Sequence, residues 1–162
     1  MVEHNKKYTF KFKNRKIIIP QSAHESEFHP FAKALTFSLY HKKYPTLRVE
    51  AKIEQSRYQP DLSAIGYDGS MLFWAECGKV SIDKVEKLFK KYRQAHFVFI
   101  KEAKDVSMFK EQLNRRFRKA KGLPLVDIIV YPEHFHDWYV SDEGDVFVPQ
   151  DFVEVIRFNQ PS

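Results

Sequence analysis

Two short apolar runs, "HFVFI" at 96–100 and "VDIIVY" at 126–131, constrain the fold more than any other feature of the chain. A strand that is apolar on both faces must be covered on both, the usual condition of a strand inside a parallel sheet with helices above and below. The preceding segments supply such helices. Residues 81 to 93 set Ile82, Val85, Leu88, Phe89 and Tyr92 on one stripe, and residues 105 to 120 do the same with Val106, Phe109, Leu113 and Phe117. The spacing predicts a βαβ unit.

Upstream the pattern changes. "YTFKFKNRKIII" at 8–19 alternates apolar and basic residues up to Phe12, breaks at Asn14-Arg15 and resumes at Ile17, which predicts an edge hairpin. From 26 to 41, Phe28, Phe31, Ala32, Leu35 and Leu39 share a helical face. Proline fits only the first turn of a helix, so Pro30 places the start close by, with Ser26 or Glu27 as cap and Glu25 in the lead-in. "LRVEAKIE" at 47–54 predicts a strand, and "WYVSDEGDVFV" at 138–148 a closing hairpin around Glu143-Gly144. Hairpins mixed with crossover helices give an α/β (α+β) class, a mixed β-sheet flanked by helices with added β-hairpins. At 162 residues, one domain over 1–162 is expected.

The segment "QPDLSAIGYDGSMLFWAECG", 59–78, carries the chemistry. Asp68-Gly69 favours a two-residue type I′ turn, which sets Ser63 opposite Trp74 and Asp61 opposite Glu76. Facing residues in such a ribbon have Cβ atoms ~4.5–5.5 Å apart. Two anions at that separation repel by about 3 kcal/mol at an effective dielectric of about 20. A retained proton, an inserted Lys or Arg, or a divalent cation would relieve the repulsion, and the last would equip the site for phosphodiester hydrolysis. A bulge in the turn is the structural alternative, since a one-residue shift would send the two acids to opposite faces.

Gly78, two residues beyond Glu76, leaves a space without a side chain. Ser81 caps the next helix, and Lys84 in its first turn borders the buried stripe, whereas Lys87 and Lys91 lie farther round. Lys84 is therefore the lysine expected to reach the carboxylates and to orient a water or offset charge on a transition-state phosphate.

"PDL" followed by "FWAECG" resembles the PD-(D/E)xK motif of restriction-endonuclease-like nucleases, and more closely the YaeQ family of small bacterial proteins. The similarity takes in "YTFKF", "ESEFHPFAKALTFSL", the Pro-Asp to Glu-x-Gly hairpin and "WYVSDEGDVFV". It implies a restriction-endonuclease-like fold and a Mg²⁺ or Mn²⁺ site at Asp61 and Glu76. It also implies a further acid from the first helix region, Glu25 or alternatively Glu27, and a lysine from the following helix, Lys84 or Lys87. Gly78 stands where the ordinary motif has its lysine, and Lys79-Val80 where the family has Gln-Pro.

Lys and Arg total 27 against 21 Asp and Glu, a formal charge of +6 that favours an anionic partner such as DNA or RNA. Arg115, Arg118 and Lys119 on the third helix are candidate nucleic-acid contacts, although the basic residues there spread around everything outside the apolar stripe. His134 and His136 lack two further ligands for zinc, and no Gly-rich phosphate loop is present. The lone Cys77 forms no internal disulfide, no apolar stretch reaches membrane-spanning length, and the amino terminus lacks a signal-peptide run, so a cytoplasmic protein is expected. The reading favoured is a divalent-metal-dependent nuclease, with a noncatalytic nucleic-acid- or protein-binding module on the same fold as the alternative.

Overall fold

The computed structural model describes residues 6–12, 15–22, 25–132, 135, 141, 143–146 and 154–158. Strands β1 (Lys6–Phe12) and β2 (Arg15–Gln21) pair antiparallel, with Tyr8 opposite Ile19 and Phe10 opposite Ile17. That register turns the aromatic and branched residues to one side, where Phe10 and Ile19 pack on Ala34 of helix α1 (Phe28–Tyr40). The hairpin expected at a sheet edge is thus a two-stranded sheet of its own, because its apolar face is taken by a helix.

The main sheet runs β3 (Arg48–Val49), β4 (Leu62–Ile65), β5 (Met71–Cys77), β6 (His96–Glu102), β7 (Leu125–Tyr131), β8 (Glu154–Arg157). Its centre is parallel: β5, β6 and β7 are joined by α2 (Ile82–Lys91) and by α3 (Val106–Phe117), which follows a 3₁₀ turn at Ala103–Asp105. Alternation divides the core. Trp74, Phe97, Phe99, Val126 and Ile128 meet α2 and α3, while Phe73, Ala75, Val98, Ile100 and Ile129 meet α1. Since α1 lies between sheet and ribbon, burial runs almost round it, from Ala32 to Phe37. No helix among the described residues is long and apolar enough to cross a membrane.

Three expectations are corrected. The strand over 47–54 shrinks to Arg48–Val49, because Glu50 and Gln55 take left-handed conformations, φ 51° and 58°, that an extended strand excludes. Strand β8 was not foreseen, since its mostly exposed residues carry no apolar run. The Asp68-Gly69 turn is also different. Gly66 N–H donates to Ser70 O at 2.9 Å, leaving a three-residue loop, Tyr67 to Gly69, closed by Gly69 at φ 82°. Ile65 then pairs with Met71, and Leu72 is an extra residue in β5 before Ala64 meets Phe73. The two offsets cancel, so Ser63 does face Trp74 and Leu62 faces Ala75. Of the closing hairpin, the turn is described, with Gly144 N–H on Ser141 O and Ser141 N–H on Asp145 O. Beyond it Asp145 and Val146 run beside β1, with Lys11 N–H on Gly144 O at 2.8 Å and Val146 N–H on Lys11 O at 3.1 Å, and the rest of its flanks lies outside the described residues.

A Cβ at Gly69 would meet nothing within 4 Å, so Gly69→Ala isolates the backbone strain of a left-handed residue. The expected cost is about 1–2 kcal/mol in urea unfolding, without a change in slope. An unchanged midpoint would mean the loop relaxes into another turn.

Candidate functional site

The carboxyl ends of β5 and β6 open onto a cavity of about 850 Å³, walled by the lead-in to α1, the start of α2 and the start of α3. Open α/β sheets place ligands at this end of their parallel strands. Two groups of ionisable side chains stand there, one on each side of the sheet.

The first gathers around Asp61, just before β4. Its N–H donates to Ala75 O at 2.9 Å, so the regular ladder stops at Leu62 and Ala75. Its Oδ2 accepts the Cys77 N–H at 2.6 Å, and its Oδ1 lies 3.4 Å from Lys33 Nζ. Lys33, on α1 and 1% exposed, also meets Glu50 at 2.7 Å and Glu25 at 3.8 Å. Burial pulls its amine down, but Asp61, then Glu50 and Glu25, outweigh burial and hold it above the ordinary lysine range. The left-handed Glu50 is kept in place from both ends, by its N–H on Asp61 O at 2.8 Å and its carboxylate on Lys33. Glu25 Oε2 is buried and accepts no hydrogen bond among the described residues.

The second group is Glu76, buried on the α2 side of β5. Its Oε1 accepts from Trp74 Nε1 at 3.0 Å and lies 2.8 Å from Lys84 Nζ. Ser81 caps α2 by accepting the Lys84 N–H, which sets this lysine in the first turn, while Lys87 is exposed one turn on. Burial pushes the Glu76 carboxyl up; Lys84 opposes this and the charge of Asp61 adds to it. The expected facing of Asp61 and Glu76 on one side is therefore corrected: the chain leaves the ladder at Asp61, whose carboxylate turns to Lys33 on the α1 side, while Glu76 meets Lys84 on the α2 side, so each acid has its own lysine. Among the described residues no three or more His, Cys, Asp and Glu side chains converge as a metal-holding group.

Between the groups stands Gly78, at φ 84°, where a Cβ would come within 2.5 Å of His29 Nε2. Its carbonyl accepts from Lys101 Nζ, which sits 4.2 Å above the Phe109 ring. Lys33, Glu50 and Lys101 were missed by sequence reasoning. The signal was a lysine inside an apolar helical run, "FAKALTF", and another closing a buried strand, "HFVFIK". Burial raises the Cys77 thiol well above its ordinary value, which fits an unreactive core residue. On α3, Arg115 pairs with Glu111 and Arg116 with Asp83 and Glu86, while Arg118 and Lys119 are exposed just past its end. His134 and His136 lie outside the described residues.

No protein-family model matches the chain, and no curated protein matches it in sequence. Two solved structures share the fold. The YaeQ protein from Pseudomonas syringae superposes with a TM-score of 0.65 at 14% identity, over 94% of this chain and 88% of that one. The YaeQ protein from Xanthomonas axonopodis pv. citri gives 0.54 at 15%, over 80% of this chain and 73% of that one. The chain is therefore similar in fold to YaeQ proteins, a mixed α/β sheet flanked by helices.

Burial brings the Lys101 amine down to about 8, with Cys77, Asp105 and Glu76 offsetting it only in part. A folded-state pKa below the unfolded one means that, above about 8, the unfolded chain holds more protons, so stability rises with pH until the ordinary lysine value is passed. The expected gain between pH 7.5 and 10.5 is on the order of 1–3 kcal/mol. Urea unfolding of Lys101→Met beside the wild type checks it, since the rise should vanish in the variant.

Proposed function

We propose that this chain is a noncatalytic binding module on a YaeQ-like fold, with nucleic acid as its ligand. One observation carries the reading: the Lys33 ammonium lies among Glu25, Glu50 and Asp61, the place a divalent cation would need, and Lys84 covers Glu76. A buried ammonium and a metal ion cannot share three carboxylates. The cavity beside this network carries both signs of charge, Lys79, Lys101 and Lys104 with Glu25, Asp61, Glu102 and Asp105, and Lys104 pairs with Glu102 at 3.2 Å. Three helices begin around it, and together with Lys101, which has no carboxylate partner among the described residues, they are what an anionic group would meet there. The net charge of +6 favours a polyanion.

A second reading, a Mg²⁺- or Mn²⁺-dependent nuclease, draws on the Lys84 contact with Glu76 and on the unbonded Glu25 Oε2. Carboxylate oxygens of Asp61, Glu76 and Glu25 are the donor type these hard cations take, and a bound ion would supply Lewis acidity toward a phosphodiester. Lys84, rather than the exposed Lys87, would then hold the charge beside Glu76.

The two readings separate on Asp61→Asn and added metal. On the proposed reading, Mg²⁺ and Mn²⁺ leave the melting temperature of the wild type unchanged, and neither DNA nor RNA is cut. Asp61→Asn then lowers stability by about 2 kcal/mol, because Lys33 loses a partner and the Cys77 N–H a charged acceptor. A metal-dependent rise in melting temperature that Asp61→Asn abolishes, together with nucleic-acid cleavage, would replace the proposal with the second reading.

A further inference from the structure

The β1–β2 ribbon has a second face, and nothing in the core uses it. Inward go Tyr8, Phe10, Ile17 and Ile19. By alternation Lys7, Thr9 and Lys11 on β1 and Lys16 and Ile18 on β2 point the other way. Lys7, Thr9 and Lys16 are exposed there, Ile18 is 61% exposed, and Lys11 is half-buried with its backbone beside Asp145. The register sets Lys11 directly opposite Lys16. Like charges facing each other across a ribbon destabilise it, so the pair does not serve the fold. The sequence from His4 to His24 carries six Lys and Arg residues and no acid. Among the described residues, none of Lys6, Lys7, Lys11 and Lys16 is in an ion pair.

We propose that the outward face of this ribbon, centred on Lys11 and Lys16, is a surface that binds the phosphates of double-stranded nucleic acid. The inference rests on the nucleic-acid reading above and names its contact surface. Shape supports the duplex along the face and the β2 edge: seven-residue strands are roughly 23 Å long and lie ~4.8 Å apart against a groove about 12 Å wide, while Gly144 and Val146 occupy the outer edge of β1 by hydrogen bonds to Lys11. Ile18, exposed between the lysines, suits the apolar edge of a base or sugar. A lipid surface fits less well, because membrane-seating faces need several large apolar side chains, and here the aromatic residues of β1 point toward α1.

The test measures binding of the full chain to a fluorescent DNA duplex across a salt series, comparing wild type, Lys16→Gln, Lys11→Gln/Lys16→Gln and Lys90→Gln/Lys91→Gln. The last pair carries the same charge change on α2, across the sheet from the ribbon. Each phosphate contact contributes about 0.9 to the slope of log affinity against log salt. The ribbon double variant should therefore flatten the slope by about two, the single variant by about one, and the α2 variant should leave it unchanged. Without DNA, the ribbon double variant should melt no lower than the wild type. A wild type that binds with a steep slope shared by the ribbon variants overturns the ribbon and leaves the nucleic-acid reading standing. A wild type that ignores the duplex overturns both, and capture by phosphatidylserine vesicles in that case identifies a lipid surface instead.

Discussion

The Lys33 ammonium holds together more of this molecule than any other single group. It leaves α1, and its carboxylates come from the lead-in to that helix, from the residue after β3 and from the residue before β4. An unpaired charge in that position would cost several kcal/mol, so the segments carrying Glu50 and Asp61 are bound to α1 by electrostatics as well as by packing. The consequences spread outward. Glu50 turns left-handed to reach the lysine and ends β3 after two residues. Asp61, while reaching Lys33, also accepts the Cys77 N–H and so fixes the end of β5 where the cavity opens.

The opposite end of the sheet shows what a fully satisfied polar network looks like. At the amino end of β6, His96 Nε2 lies 2.6 Å from Asp127 and its Nδ1 2.9 Å from the Tyr44 hydroxyl, while Arg157 donates to both Asp127 oxygens. Burial pushes the Asp127 carboxyl up, yet His96 and Arg157 together hold it below its ordinary value. One acid there is served by two partners, and the bond to Arg157 ties β8 to β7. Around Lys33 the ratio is inverted, three acids to one lysine, and Glu25 Oε2 accepts no hydrogen bond. The carboxyl ends of the strands are therefore the less settled pole of the domain.

The α2 and α3 stripes and the strands at 96–100 and 126–131 were legible because their burial follows a period that the sequence displays. The pairing of Ser63 with Trp74 was legible for a less secure reason. A three-residue loop and the extra Leu72 cancel each other, and a rule that assumed neither reached the same register. Lys33 was illegible, because a charge on a helix reads as its solvent face, and α1 is buried almost all round, with the acids that receive this one coming from other segments. Its acid partners Glu50 and Asp61 follow 17 and 28 positions later, beyond any local pattern. Lys84 was legible because a helix cap and an apolar stripe together decide where a first-turn side chain points.

Three buried or half-buried amines stand near the cavity end of the sheet, and they are not equivalent. Lys33 and Lys84 are held in ion pairs with carboxylates. Lys101 donates to a carbonyl, and no carboxylate lies within ion-pairing distance of it among the described residues. Its burial is only partly compensated, and its amine sits at about 8 rather than near the ordinary lysine value. An anion entering the cavity would give Lys101 the partner it lacks but would pass Glu25, Asp61, Glu102 and Asp105 in the lining, whereas a cation would have to displace Lys33 from acids that already stabilise it. What distinguishes the three amines is thus which of them already has a carboxylate partner.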